Sequence, residues 1–197
     1  TKSHAALARA KQIGLDVIVT DHHELDENHP PAYAFINPHR CADSRFVTLA
    51  GCGVAFFLAI ALRQKLRQEK LFASTEPNLK QHLDLVALAT VADLSPLTGV
   101  NRTLVRLGLK ELSGTRKPGL SALKEIAGLN NGEVLTSSDI GFRLGPRINA
   151  GGRIAQANLG LNLLCAETLE RAQGLARILD QCNRERQELQ AEHLKEA

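Results

Sequence analysis

Val17-Ile18-Val19-Thr20-Asp21-His22-His23 decides how this chain reads. Four β-favouring residues stop at a carboxylate and two imidazoles. The apolar run 17–19 predicts a short buried strand of a parallel sheet. In open α/β sheets, ligands bind just past the carboxyl ends of strands. Asp21, His22 and His23 take that position. A carboxylate beside neutral imidazoles is the raw material of a divalent-metal site. Two plainer readings stand beside it. One histidine ligates while the other packs or hydrogen-bonds, or all three are polar loop residues.

Working outward, residues 3–12 read as a helix rich in Ala5, Leu7, Ala8 and Ala10, with Gly14 as its stop. Helix followed by buried strand is half of a βαβ unit, whose first strand would lie before Thr1. Residues 26–32 form a loop punctuated by Pro30 and Pro31, and 34–36 form a second strand ended by Asn37-Pro38. A long helix spans about 50–70. Another spans 79–91 and delivers Asp93 at or just past its end. Residues 101–112 form an amphipathic helix with Leu104, Leu107 and Leu112 on one side. Short helices are expected near 120–127 and 137–144, the latter capped by Ser137 or Ser138. The stretch 145–153 reads as a loop, 159–164 as a short helix, and 167–196 as a long amphipathic one.

The expected fold class is therefore α/β, a partial parallel sheet flanked by helices. A mainly helical part and a long C-terminal connecting helix follow it. Three segments are expected: an α/β domain over 1–100, a helical basic part over 101–165 and the connecting helix over 166–197.

A chain of 197 residues with 44% hydrophobic residues can bury a real core. Its longest apolar run, about 54–62, is too short to span a bilayer. No secretory signal is visible at its start. Cys41, Cys52, Cys165 and Cys182 form no CxxC pair, and the last three fall on apolar helical faces. They read as reduced hydrophobes of a cytoplasmic protein. The chain has no methionine and starts at Thr1, so a piece of a longer protein is expected. Net charge is only +3, but residues 101–153 carry nine Lys/Arg against four Asp/Glu. That local excess, holding Arg102, Arg143, Arg147 and Arg153, suits a polyanion such as a nucleic-acid backbone. A solvated face is the plainer reading. Aromatic residues are scarce. Phe142, beside Arg143, is the best local candidate for base stacking, with core packing as its expected role.

Three further blocks accompany Asp21-His22-His23. They are Leu49-Ala50-Gly51-Cys52-Gly53-Val54-Ala55, then 84–93 ending Thr90-Val91-Ala92-Asp93 with Asn101-Arg102 after it, then Gly145-Pro146-Arg147-Ile148-Asn149-Ala150-Gly151-Gly152-Arg153. In this order and spacing the chain resembles the DHH phosphoesterase family, most closely its RecJ-type single-strand-specific exonuclease branch. The resemblance runs from about Ser3 to the final helix. It implies a fragment of the catalytic core of a 5′-to-3′ exonuclease that hydrolyses phosphodiester bonds of single-stranded DNA in repair and recombination.

The resemblance also implies Mn²⁺ or Mg²⁺ as cofactor, with His22 and Asp93 as metal ligands. Asp21 and His23 would then orient ligands, bind phosphate or act as acid and base. Arg147, Asn149 and Arg153 are expected to bind phosphate, with the alternative that Pro146 and the glycines turn the chain while the arginines cap helices. Asn101 and Arg102 either contact substrate or cap the next helix. His4, His29, His39, His82 and His193 carry no assignment. Implied partners are single-stranded DNA, a single-strand-binding protein and a helicase, with no membrane.

The family's remaining metal carboxylates, in Asp-x-Asp and Asp-Asn-Gly patterns, are not in the sequence, nor is its C-terminal glycine-histidine pattern. A half-built metal site is expected. Two other readings stay open: a relative acting on short oligonucleotides or cyclic dinucleotides, and a non-catalytic DNA-binding relative.

Overall fold

A computed structural model describes residues 3–196 apart from 26, 27, 29, 42, 131 and 155–157; side chains at 152–154 and 196 are also undescribed. The chain divides into two compact units, Thr1–Lys80 with Ser95–Leu104, and Gln81–Leu94 with Val105–Ala197.

The first unit opens with helix α1, His4–Gln12. Gly14 ends it at φ +78°, where its N–H donates to the Lys11 carbonyl and that of Leu15 to the Ala10 carbonyl. This pair of bonds is a Schellman closure, which needs the left-handed residue that glycine supplies. The chain is thereby aimed into strand β1, Ile18–Thr20, which pairs in parallel with β2, Ala34–Ile36, in the register Ile18 to Ala34 and Thr20 to Ile36. The strand lies one residue later than expected, and it is not buried: Ile18 is 58% exposed. Among the described residues the sheet has only these two strands, so β1 has one bonded neighbour and little cover. Helix α2, Gly51–Gln68, follows, with Ala50 as its N-cap. Leu7, Leu49, Ala50, Val54 and Leu104 are among the buried apolar residues of this unit.

The second unit is helical. Helix α3, Leu83–Ala92, is buried on nearly every side, as its unbroken apolar sequence requires. Its one buried acid, Asp84, accepts hydrogen bonds from Lys117 and from the Thr115 hydroxyl. Helix α4, Gly99–Ser113, starts in the first unit, and its part from Val105 onward approaches α3 through Gly108. Helix α5, Pro118–Ile126, contributes Lys124, whose buried Nζ donates to the Leu112 and Ser113 carbonyls and so caps α4. Burial holds the Lys124 ammonium below the usual lysine range, against a smaller opposing pull from Glu133.

The cap of α6, Ser137–Asp139, is Thr136, not Ser137 or Ser138. Its hydroxyl accepts from the Asp139 N–H while the Asp139 carboxylate accepts from the Thr136 N–H and hydroxyl. Those bonds, the Thr136 hydroxyl first, hold the Asp139 carboxyl below the usual range.

A π-turn, Ile140–Leu144, runs straight into helix α7, Gly145–Ile154, where a loop was expected. Glycine and proline look like breakers here and are not. A Cβ on Gly145 would sit 3.3 Å from the Ala92 Cβ, and one on Gly151 2.5 Å from a Leu179 methyl, so both glycines permit close packing instead of turning the chain. The wide turn, closed by the Gly145 N–H on the Ile140 carbonyl, relieves the missing N–H and bulky ring of Pro146. Phe142, expected in the core, is 83% exposed on that turn.

Helix α8, Leu159–Leu164, and the long α9, Leu169–Glu196, complete the unit. Its core includes Leu112, Leu120, Leu123, Ile140, Leu144, Leu163 and Leu179. All four cysteines are free; Cys182 is buried, but Cys165, just past the end of α8, is exposed. Among the described residues no helix is long and apolar enough to cross a membrane.

Candidate metal and phosphate site

Parallel pairing puts the carboxyl ends of β1 and β2 side by side, and each strand delivers a polar group there. After β1 comes Asp21, 7% exposed. Its Oδ1 accepts from the His22 N–H at 2.8 Å, the His23 N–H at 3.2 Å and the His23 ring Nδ1 at 2.7 Å. Burial opposes the charge on Asp21. Hydrogen bonds, including those from His23 and His22, outweigh it and hold the carboxyl far below the usual range. An ionised carboxylate only accepts, so Nδ1 of His23 carries the proton and donates. In its neutral form the His23 ring, donating from Nδ1, presents a bare Nε2 lone pair on a side chain 75% exposed. The His22 ring lies 4.4 Å from the His23 ring, centroid to centroid. It also lies over the start of α2, where a Cβ on Gly51 would stand 3.3 Å from its Cδ2. Gly51 thus leaves space for an imidazole.

After β2 comes Asn37, 7% exposed. Its Nδ2 donates to the His23 carbonyl at 3.0 Å and its Oδ1 accepts from the His39 N–H at 2.9 Å. Asn37 therefore ties the two strand-end loops together. The His39 ring lies 3.7 Å from the Glu24 carboxylate. Neither Asn37 nor His39 stands out by motif. The available signal was position: they follow β2 as Asp21 follows β1.

Asn101 is fully buried in the same unit, two residues inside α4 and not at its cap. Its Nδ2 donates to the Thr48 carbonyl at 2.6 Å and the Pro96 carbonyl at 3.0 Å. It pins the 95–104 stretch to the loop before α2. Arg102 is exposed, its N–H on the Thr98 carbonyl.

In the second unit, Asp93 is the exposed C-cap of α3, its N–H on the Ala89 carbonyl. Arg147 donates from Nε to Asp180 at 2.8 Å and from Nη1 to the Arg143 carbonyl at 2.6 Å. Asp180, buried on α9, also pairs with Arg184. Arg143 donates to the Ala127 and Gly128 carbonyls and so closes α5. Much of the basic excess in 101–153 is thus committed within the fold. Asn149 is exposed, and the Arg153 side chain lies outside the described residues. Among the described residues, no group of three or more His, Cys, Asp or Glu is placed to hold a metal ion. Imidazole and carboxylate chemistry suits a divalent ion, but at the strand ends Asp21 Oδ1 is already taken up by His22 and His23.

Residues 1–90 match the DHH family, N-terminal domain. That segment includes Asp21, His22 and His23. The DHH segment is continued by a longer likeness. The chain is 45% identical over 195 residues to the single-stranded-DNA-specific exonuclease RecJ of Dickeya dadantii, covering 96% of this chain and 34% of that protein. It is 41% identical over 189 residues to the protein of the same name from Bacillus subtilis, covering 95% of this chain and 22% of that protein. Among solved structures, it is similar to RecJ in complex with Mn²⁺ from Thermus thermophilus, at TM-score 0.85 and 34% identity. That match covers 99% of this chain and 28% of the other. It is also similar to exonuclease RecJ bound to manganese, at TM-score 0.84 and 34% identity, covering 98% and 47%. The chain thus spans about a third of the Dickeya relative and less of the Bacillus one.

Proposed function

We propose that this chain is part of a metal-dependent, single-strand-specific DNA exonuclease acting 5′ to 3′ in repair and recombination. The observation that carries the reading is the Asp21 carboxylate, which fixes the His23 tautomer beside His22 at the carboxyl edge of a parallel strand pair. The likeness to the RecJ proteins supports it along nearly the whole chain.

His22 and Asp93 are the proposed ligands of Mn²⁺ or Mg²⁺. When bound, the ion neutralises phosphate charge and activates water. Asp21 orients and Asn37 braces the loop. His23 accepts or returns a proton at Nε2, which its Nδ1 bond to Asp21 leaves bare. Arg147, Asn149 and Arg153, with Arg102, are proposed phosphate contacts, and Asn101 supports the stretch that carries Arg102. Over the chain, the 1–100 segment carries the strand-end site, 101–165 the basic helical part and 166–197 the helix leading to further sequence. A single-strand-binding protein and a helicase are proposed partners, and the cytoplasm is the proposed location.

The test is a chimera in which this chain replaces the matching third of the Dickeya relative. It should release nucleotides from single-stranded DNA with Mn²⁺ and lose that activity with EDTA. Equal digestion of duplex DNA, or none of either, would contradict the proposal.

A further inference from the structure

Beside the α3 C-cap lies an open depression of about 240 Å³, lined by Val91, Ala92, Leu94, Gly145, Asn149 and Arg186. Arg186 comes from α9, far along the chain from any motif discussed above. Its Nη1 donates to Gln190 at 3.3 Å and its Nη2 to Asn183 at 3.2 Å, one turn to either side on its own helix. Its Nε is buried and, among the described residues, has no acceptor. Arg184, two residues earlier, differs: its guanidinium is spent on Asp180.

A buried N–H of a charged group without an acceptor is costly, and such groups in folded proteins are nearly always satisfied. Here the guanidinium is held by its helix neighbours while the unsatisfied donor belongs to a residue of the depression's wall. The other polar wall group is the exposed Asn149 amide, which offers further donors. Val91, Ala92, Leu94 and Pro146, with two glycines, make the remainder apolar. Among the described residues, no acidic side chain lines it. An acid-free hollow walled by an arginine and an amide suits an anionic tetrahedral group.

We propose that Arg186 and Asn149 bind a backbone phosphate of single-stranded DNA in this depression, next in the chain to Asp93. The inference rests on the nuclease reading above and adds a contact on α9. The 88% exposed Leu94 gives the adjoining sugar an apolar surface.

Nε–Hε spectra of the arginine-labelled chain test this, with the Arg186 signal assigned by Arg186→Lys. Two titrants are used, a six-residue deoxythymidine oligonucleotide and inorganic phosphate, and anisotropy of a labelled oligonucleotide reports binding separately. The oligonucleotide should shift the Arg186 signal at lower concentration than phosphate does. Arg186→Gln should raise the oligonucleotide Kd roughly tenfold, the scale of one charge-assisted bond. It should also lower the salt slope by about 0.7, one phosphate contact on a single strand. Asn149→Ala should weaken binding severalfold, and Arg177→Gln, an exposed arginine of the same helix, should change nothing.

Oligonucleotide binding that leaves the Arg186 signal still overturns this inference and leaves the nuclease reading standing. A phosphate-induced shift without oligonucleotide binding overturns the nucleic-acid assignment together with that reading. No shift with either titrant and no binding overturns both.

Discussion

Alanine at His22 is expected to cut Mn²⁺-dependent digestion of single-stranded DNA by roughly a thousandfold or more in the chimera, about 4 kcal/mol of barrier. The ring stands at the carboxyl end of β1, held between His23 and the glycine start of α2. Losing it removes a proposed ligand, and added metal should not restore the rate. Alanine at His23 removes a proton carrier instead, an effect on the order of a hundredfold. That variant should keep its metal affinity. His22→Ala should unfold at the same temperature as the parent, since the ring is only partly buried. Rates matching the parent for His22→Ala would refute the ligand assignment.

The second large effect is on stability. A Cβ at Gly108 would stand 2.1 Å from the Leu83 carbonyl oxygen and 2.6 Å from the Ala87 Cβ. Neither neighbour is the end of a flexible side chain, so α3 and α4 must part. Gly108→Ala should therefore cost about 3 kcal/mol, the upper range for overpacking. For a chain of this length that lowers Tm by roughly 6–12 °C. Gly174, on α9, has open space where its Cβ would go. Gly174→Ala should stabilise by about 0.5–1 kcal/mol, the ordinary helix gain. Thermal melts of the two variants side by side separate packing from propensity. A Gly108→Ala variant within about 0.5 kcal/mol of the parent would refute the close-approach account.

The helices α2, α3, α4 and α9 were legible because their apolar residues recur at helical spacing or run unbroken. Thr20-Asp21 was legible as a strand end because β-favouring residues stop abruptly at charge. Exposure of Ile18 was not, since burial depends on what covers a strand and the strand's own pattern does not record it. Gly145-Pro146 misled because glycine serves two purposes, and only the neighbouring Ala92 and Leu179 reveal that close packing is the one used here. Phe142, expected to pack in the core, lies outside on the π-turn ahead of Pro146, a turn that its local sequence does not announce. At the site, Asp21, His22 and His23 were readable from one heptapeptide. Asn37 was not, because its role arises from parallel pairing with a strand sixteen residues earlier. The Arg147 partner Asp180 was not legible either, being thirty-three residues away and beyond the reach of local pattern.

The central claim is that His22 ligates a divalent ion at the end of β1. Electron spin-echo spectroscopy of Mn²⁺ bound to the chimera measures this directly through the ¹⁴N coupling of a ligating imidazole. The account predicts a nitrogen coupling that disappears in His22→Ala and persists in His23→Ala. A coupling that survives His22→Ala, or none in the parent with Mn²⁺ bound, would contradict it.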